Sequence, residues 1–285
     1  MKPICVRFDG GGKYGIGNVR RSCELGRYLR TRGHAVRLEP LSDTARALMS
    51  DDFTAEIGSD GVTVLDIPYD ASAEVSRAHA AGQKVLALDF EGDVAPDVIV
   101  SLQATRRVPE GSRYLRGVEY AIIAEKIRAR PKVESRGEVL VIVGGGDFGG
   151  LSEAIVDRLK SNELKLCVVQ GPVGKPLEFH APNVRVVVDP ANLVELMAGC
   201  SWAVTTGGTT MLEMLCLGKA VHVVPRTEQE RLFAGRFLAQ SALLGLGLES
   251  LESPNADDLA RCESIGPQLI DGRGCERIAK EIESL

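Results

Sequence analysis

The chain has 285 residues, 44% of them hydrophobic and 26% charged, with a formal net charge of −5, which is enough for two globular domains with a core each. The acidic balance, with a pI near 5.6, argues against a general nucleic-acid binder, which carries a basic face, but leaves room for a local basic pocket around a diphosphate. No run is apolar and long enough to span a membrane, and Met1, Lys2 and Pro3 lead straight into a strand-like segment rather than a targeting helix.

Short apolar runs alternate with amphipathic stretches from end to end, the pattern of βαβ units and mainly parallel sheets. In the first half, strands are expected at Ile4–Phe8, Ala35–Glu39, Val62–Ile67, Val85–Asp89 and Val98–Val100. A helix from about Asn18 to Arg32 carries Val19, Cys23, Leu25 and Leu29 on one side, and Gly33 closes it as a residue able to turn left-handed. The stretch Arg128–Glu138, RARPKVESRGE, is polar and broken by proline and glycine, so it reads as a linker. Beyond it, strands are expected at Val139–Val143, Leu166–Val169, Val184–Val188, Ala203–Thr205 and Ala220–Val224. Helices are expected near Ser152–Lys160, Leu193–Gly199, Thr209–Leu217 and Glu228–Gln240, with one more at Gly274–Leu285.

The fold class is therefore α/β, two Rossmann-like domains facing a cleft. Residues 1–133 form one domain and 134–285 the other, with the last helix free to pack back on the first domain. The seven cysteines, Cys5, Cys23, Cys167, Cys200, Cys216, Cys262 and Cys275, are odd in number and none forms a C-x-x-C pair. Zinc and redox readings fail on that spacing; the cysteines read as small core residues of a cytoplasmic protein.

Three glycine-rich turns stand where a strand gives way to a helix: Asp9-Gly10-Gly11-Gly12-Lys13-Tyr14-Gly15-Ile16-Gly17-Asn18, Gly144-Gly145-Gly146-Asp147-Phe148-Gly149-Gly150, and Thr205-Thr206-Gly207-Gly208-Thr209-Thr210. Glycines let the backbone approach an anion, and the N–H groups at a helix start favour negative charge. Gly145, Gly146, Gly207, Gly208, Thr209 and Thr210 are accordingly candidates for a diphosphate. Glu213, one turn into the third helix, is placed to accept from ribose hydroxyls. The first turn is not a G-x-G-x-x-G fingerprint in helix-opening register, and Lys13 is not preceded as a Walker lysine is, which argues against a nicotinamide oxidoreductase or a P-loop kinase.

Arg7-x-Asp9 followed by Gly15-Ile16-Gly17-x-Val19-x-Arg21 resembles the amino-terminal signature of the UDP-sugar hydrolases of pseudaminic acid biosynthesis and their spore-coat-polysaccharide relatives. The resemblance continues through Gly111-Ser112-Arg113-Tyr114-Leu115-Arg116-x-x-Glu119, Asn192-Leu193-x-x-Leu196-Met197, Gly207-Gly208-Thr209-Thr210-x-x-Glu213, Leu217-Gly218-Lys219-Ala220 and Glu228-Gln229, in that order. It implies a GT-B fold, shared with the glycosyltransferase that makes lipid II, UDP held mainly by the carboxyl-terminal half, and no metal or other cofactor. It implies further that Gly208, Thr209 and Thr210 hold the diphosphate and Glu213 the ribose. Gly15 and Gly17 would border the sugar and phosphate from the amino-terminal domain, with Arg21, Glu228 and Gln229 as further substrate contacts.

One position departs from the family pattern. The histidine assigned to activating the attacking water is Asn18 here, and an amide cannot take a proton at neutral pH. Asn18 can still position a water or a sugar hydroxyl. Asp9, Tyr14 and Glu119 are the other candidates for a base, Asp9 if burial raises its pKa; capping the glycine turn is its alternative role. His34 and His79 read as surface or cap residues, His180 as loop, and His222 as a strand residue near the nucleotide side.

The expected reaction is cleavage of the anomeric C–O bond of a UDP-linked (amino)deoxy sugar, releasing UDP, in bacterial surface or specialised glycan biosynthesis. The alternatives are a metal-independent glycosyltransferase using the same donor, and a non-catalytic nucleotide-sugar binding protein. The sequence names neither the sugar nor the oligomeric state.

Overall fold

The structure, a computed structural model, describes residues 2–56, 61–103, 107–146, 149–160, 163–172 and 176–285, with Lys13 as backbone alone. Met1, and Asp147 and Phe148 of the second glycine turn, lie outside the described residues. The chain divides into two compact units, one of Met1–Ile123 with Gly272–Leu285, the other of Ala124–Asp271. The sequence placed the join at 133/134; the division by contacts falls at 123/124, because α4 (Glu125–Arg128) packs on the second unit's α7 (Thr209–Leu217).

The first unit runs β1 (Ile4–Phe8), α1 (Gly17–Thr31), β2 (Val36–Pro40), α2 (Asp43–Ala47), β3 (Val62–Asp66), α3 (Ser72–Ala80), β4 (Lys84–Leu88), β5 (Val98–Ser101) and β6 (Arg113–Arg116). A 3-10 turn at Val118–Tyr120 follows. The second unit opens with α4 and continues with β7 (Glu138–Ile142), α5 (Leu151–Leu159), β8 (Lys165–Gln170), β9 (Val184–Val188) and α6 (Leu193–Gly199). It ends with β10 (Trp202–Thr205), α7, β11 (Val221–Val223), α8 (Glu228–Leu238), β12 (Gly245–Leu246) and α9 (Ala256–Leu269). The chain then returns to the first unit as α10 (Gly274–Ser284).

Among the described residues each unit holds one six-stranded sheet, ordered β2-β1-β3-β4-β5-β6 in the first and β12-β11-β10-β7-β8-β9 in the second. All the strand pairs are parallel. A parallel sheet is covered on both faces, so its strands are apolar on both sides rather than alternating with polar residues. In the first unit Val62 and Val64 of β3, Leu86 and Leu88 of β4, and Val98 and Val100 of β5 belong to the core that α1 and α10 cover. Their neighbours Leu65, Val85, Ala87 and Ile99 belong to the core under α3. The second unit's core gathers Val139, Val141, Leu166, Val168, Trp202 and Val204 under Ile155, Val156 and Leu159 of α5.

α10 owes its place to periodicity. Cys275, Ile278, Ala279 and Ile282 recur at helical spacing and are all buried, each isoleucine contributing roughly 1.5–3 kcal/mol relative to exposure. Arg32 and His34 pair with Glu283, and Arg113 with Glu281; such surface pairs orient the helix more than they stabilise it. His34, expected at the surface or as a cap, is buried, its ring also bonded to the Lys2 carbonyl at 3.1 Å.

Gly33 closes α1 with φ of +88°, as its sequence position predicts. All seven cysteines are buried, and none is in a disulfide. No described helix is long and apolar enough to cross a membrane.

Candidate functional site

β1 lies between β2 and β3, with Phe8 opposite both Pro40 and Asp66. The loops leaving these three strands therefore share the carboxyl edge of the sheet, where parallel α/β sheets bind ligands. Asp9, the first residue past β1, meets Ser42 and Tyr69 from the other two loops. The Ser42 hydroxyl donates to Asp9 Oδ1 at 2.5 Å, the Tyr69 hydroxyl to Oδ2 at 2.7 Å, and the Gly10 N–H to Oδ1 at 2.8 Å. Burial pushes the Asp9 pKa up, but these three donors outweigh it and hold the carboxyl below its ordinary value. The condition for Asp9 to serve as a base, a raised pKa, is thus not met; the carboxylate caps the glycine turn and accepts hydrogen bonds. Tyr69 shifts the other way, raised by burial and by its bond to Asp9.

Since the folded value is depressed, the stability Asp9 contributes is present above its unfolded value near pH 4 and lost as pH falls through the folded one. Melting temperatures taken from about pH 7 to about pH 3 should fall more steeply in the wild type than in Asp9→Asn. Parallel curves would mean that the three donors do not favour the charged form.

The first glycine turn closes on itself. Gly11 N–H donates to the Gly15 carbonyl at 2.6 Å, Tyr14 N–H to that of Gly11 at 3.1 Å, and Gly15 N–H to that of Gly12 at 3.2 Å. Gly11 and Gly15 hold φ at +95° and +73°, values that glycine adopts without steric cost. These N–H groups are spent inside the turn. Tyr14 is 40% exposed, its ring centroid 5.8 Å from that of Tyr69. Asp9, Gly10 to Gly12, Tyr14, Ser42 and Thr44 line a pocket of about 270 Å³.

α1 starts at Gly17, so Asn18, Arg21 and Ser22 fall at i, i+3 and i+4, on one side of the helix. All three converge on Asp66, the fully buried last residue of β3. Asp66 Oδ1 accepts from Asn18 Nδ2 at 2.7 Å and Arg21 Nη2 at 2.5 Å; Oδ2 accepts from Arg21 Nε at 2.7 Å and Ser22 Oγ at 2.9 Å. Arg21 Nη1 reaches Asp89, just past β4, at 2.7 Å. Burial opposes the guanidinium charge, but Asp66 and Asp89 more than offset it and raise the Arg21 pKa. Arg21, expected to touch substrate, clamps these two carboxylates through Nε, Nη1 and Nη2. Glu119 lies on the 3-10 turn after β6, exposed.

In the second unit β10 lies between β7 and β11, with Thr205 opposite Ile142 and Val223. The turns holding Gly144 to Gly146 and Thr205 to Gly208, and the loop entering α8, consequently leave one edge of one sheet. Gly145 packs so closely on Gly171, past β8, that a side chain on Gly171 would overlap the Gly145 carbonyl. Gly207 has a packing reason of its own, since a Cβ there would lie 2.8 Å from the Glu230 carbonyl of α8.

α7 begins at Thr209 with Gly208 extended before it, and Gly208, having no side chain, supplies no side-chain cap. The Thr205 hydroxyl is buried with no partner among the described residues. Glu213 is half-buried, three and four residues on from Thr210 and Thr209. Glu228 and Gln229 are exposed in the first turn of α8, which Thr227 caps by accepting from Glu230 N–H at 3.1 Å. His222 is buried in β11 and bonded to the Gly247 carbonyl at 2.8 Å, and burial lowers its pKa. Among the described residues no group of three metal-ligating side chains is arranged to hold an ion.

No protein-family model matches the chain, and no curated protein matches it in sequence. Solved structures do match in shape over nearly the whole length. Acinetobacter baumannii MurG superposes with a TM-score of 0.65 at 14% identity, covering 99% of this chain and 100% of that one. S. aureus MnaA, solved with UDP, gives 0.65 at 10% identity over 99% and 96%, and the glycosyltransferase SnogD from Streptomyces nogalater gives 0.59 at 15% over 99% of both. The chain has the GT-B fold.

Proposed function

We propose that the chain is an enzyme acting on a nucleotide sugar, which breaks the anomeric C–O bond of a UDP-linked sugar with UDP as leaving group. The observation that carries the reading is the start of α7 at the carboxyl edge of the second unit's sheet, with a glycine, Gly208, at the capping position and Thr209 and Thr210 in its first turn. Helix-start N–H groups and hydroxyls there suit a diphosphate and would stabilise its charge as the bond breaks. The GT-B fold, and the UDP in the MnaA structure, support the same ligand class.

Glu213 would accept from the ribose. Glu213→Ala is expected to weaken UDP binding by about 1–3 kcal/mol, the range for a hydrogen bond to a charged group, read by calorimetry. An unchanged affinity would remove Glu213 from the site. In the first unit, the Asp9 pocket, with Gly15 and Gly17 beside it, would take the sugar or the acceptor.

Hydrolysis of a pseudaminic-type UDP-sugar is the finer form of this reading. Transfer to an acceptor hydroxyl or amine is the second; Asp9, held below its ordinary pKa, and Asp66, which already accepts four hydrogen bonds, are suited to deprotonate neither water nor an alcohol, which favours an amine acceptor attacking as its free base. UDP release measured with and without an added acceptor separates the two.

A further inference from the structure

Asp66 reaches no ligand itself. It is fully buried, and its four hydrogen bonds use about all the acceptor positions a carboxylate has. What it can do is dictate how its neighbours point. Both of its oxygens already accept from Arg21, so toward Asn18 the carboxylate is again an acceptor. The Asn18 group facing it must then be the NH2, and the orientation of this amide follows from the hydrogen-bond network. The amide's other end is thereby fixed. Asn18 Oδ1 makes no hydrogen bond among the described residues, and it is not among the buried polar atoms that lack a partner, so it is open to solvent.

We propose that Asp66 is a positioning residue that makes position 18 a hydrogen-bond acceptor toward the ligand, so that the group bound there is a donor, a hydroxyl or a water, and not a phosphate oxygen. Arg21 and Ser22 keep Asp66 in place, and Arg21 is itself braced by Asp89, whose Oδ1 takes the Leu102 N–H at 3.2 Å. α1, β3 and the loop after β4 thus hold one amide in one orientation. The assignment of position 18 to a ligand rests on the nucleotide-sugar reading; the orientation imposed by Asp66 does not.

The test needs no substrate. Histidine-selective NMR titrations of Asn18→His and of Asn18→His with Asp66→Asn compare the introduced imidazole with and without the buried carboxylate, the four native histidines serving as references. With Asp66 present, the midpoint should lie about one pH unit or more above that of the double variant, the usual effect of an adjacent opposite charge. Equal midpoints would overturn the proposal.

Removing a carboxylate from beneath Arg21 can prevent folding, and the wild type then decides. One side-chain amide proton of Asn18 should be shifted downfield and slow to exchange. A pair exchanging as freely as those of an exposed asparagine overturns the proposal as well. Absence of UDP binding in a separate assay would sink the nucleotide-sugar reading and leave both NMR outcomes standing.

Discussion

Asn18→His should raise hydrolysis of a UDP-sugar by about 10²-fold, the lower end of what a positioned general base supplies. The geometry around position 18 is suited to the change. Asp66, which now accepts from the Asn18 amide at 2.7 Å, can accept from one ring nitrogen and leave the other unprotonated and outward. Neither Asn18 nor Asp9 supplies such a group in the wild type: an amide has no useful basicity, and Ser42, Tyr69 and Gly10 hold the Asp9 carboxyl below its ordinary value. UDP release from a small panel of UDP-sugars, wild type against variant, is the measurement. No gain in turnover, with binding intact, would place position 18 away from the reacting carbon. A wild type inactive in water but active with an added alcohol or amine would make transfer the native reaction.

Gly274→Ala should destabilise the protein by about 3 kcal/mol, the upper part of the usual range for overpacking. Gly274 is the buried first residue of α10, and a Cβ there would overlap the backbone carbonyl of Ala121. Both sides of that contact are main chain, so no side chain can swing aside. Relief requires lifting the helix, which would expose Ile278 and Ile282. Urea titration followed by circular dichroism gives the loss directly. A midpoint equal to that of the wild type would show that the two backbones part at little cost.

The fold was largely legible because both sheets are buried on both faces, which turns each strand into a compact apolar run. Ile4–Phe8 and Val184–Val188 fall as read, as do the helices Leu193–Gly199 and Thr209–Leu217, and the other expected strands shift by one residue at one or both ends. The elements that escaped notice lack that contrast. β6 at the sheet edge reads Arg-Tyr-Leu-Arg, with no buried residue, and β12 is two residues long. α9 carries a clear start, Asn255 accepting from Asp258 N–H with two aspartates in the first turn. Its Gly266 and Pro267, however, are residue types that disfavour a helix interior. The glycine is there because α9 crosses α7 closely, a Cβ at Gly266 lying 2.8 Å from the Leu215 carbonyl.

Of the cluster around Asp66, the sequence pointed to Asn18 and Arg21 but not to the carboxylates that gather them. Asp66 and Asp89 lie far from Arg21 in sequence, and each looks like the ordinary polar end of an apolar strand. Only the parallel register, which brings the ends of β1, β3 and β4 to one edge, makes them a cluster. Ser42 and Tyr69 were missed for the same reason.

The return of the chain at Gly272 has a consequence for how the protein is made. The second unit is one uninterrupted stretch, Ala124–Asp271, whereas the first needs α10 to cover the α1 side of its sheet. On the ribosome the later-synthesised unit therefore has all of its strands and helices before the earlier one does. Until the last helix leaves the exit tunnel, the apolar surface that Ile278 and Ile282 will cover stays open on the nascent chain. The amino-terminal unit waits longest for its core, and in that interval it is the part most exposed to misassociation and to chaperones.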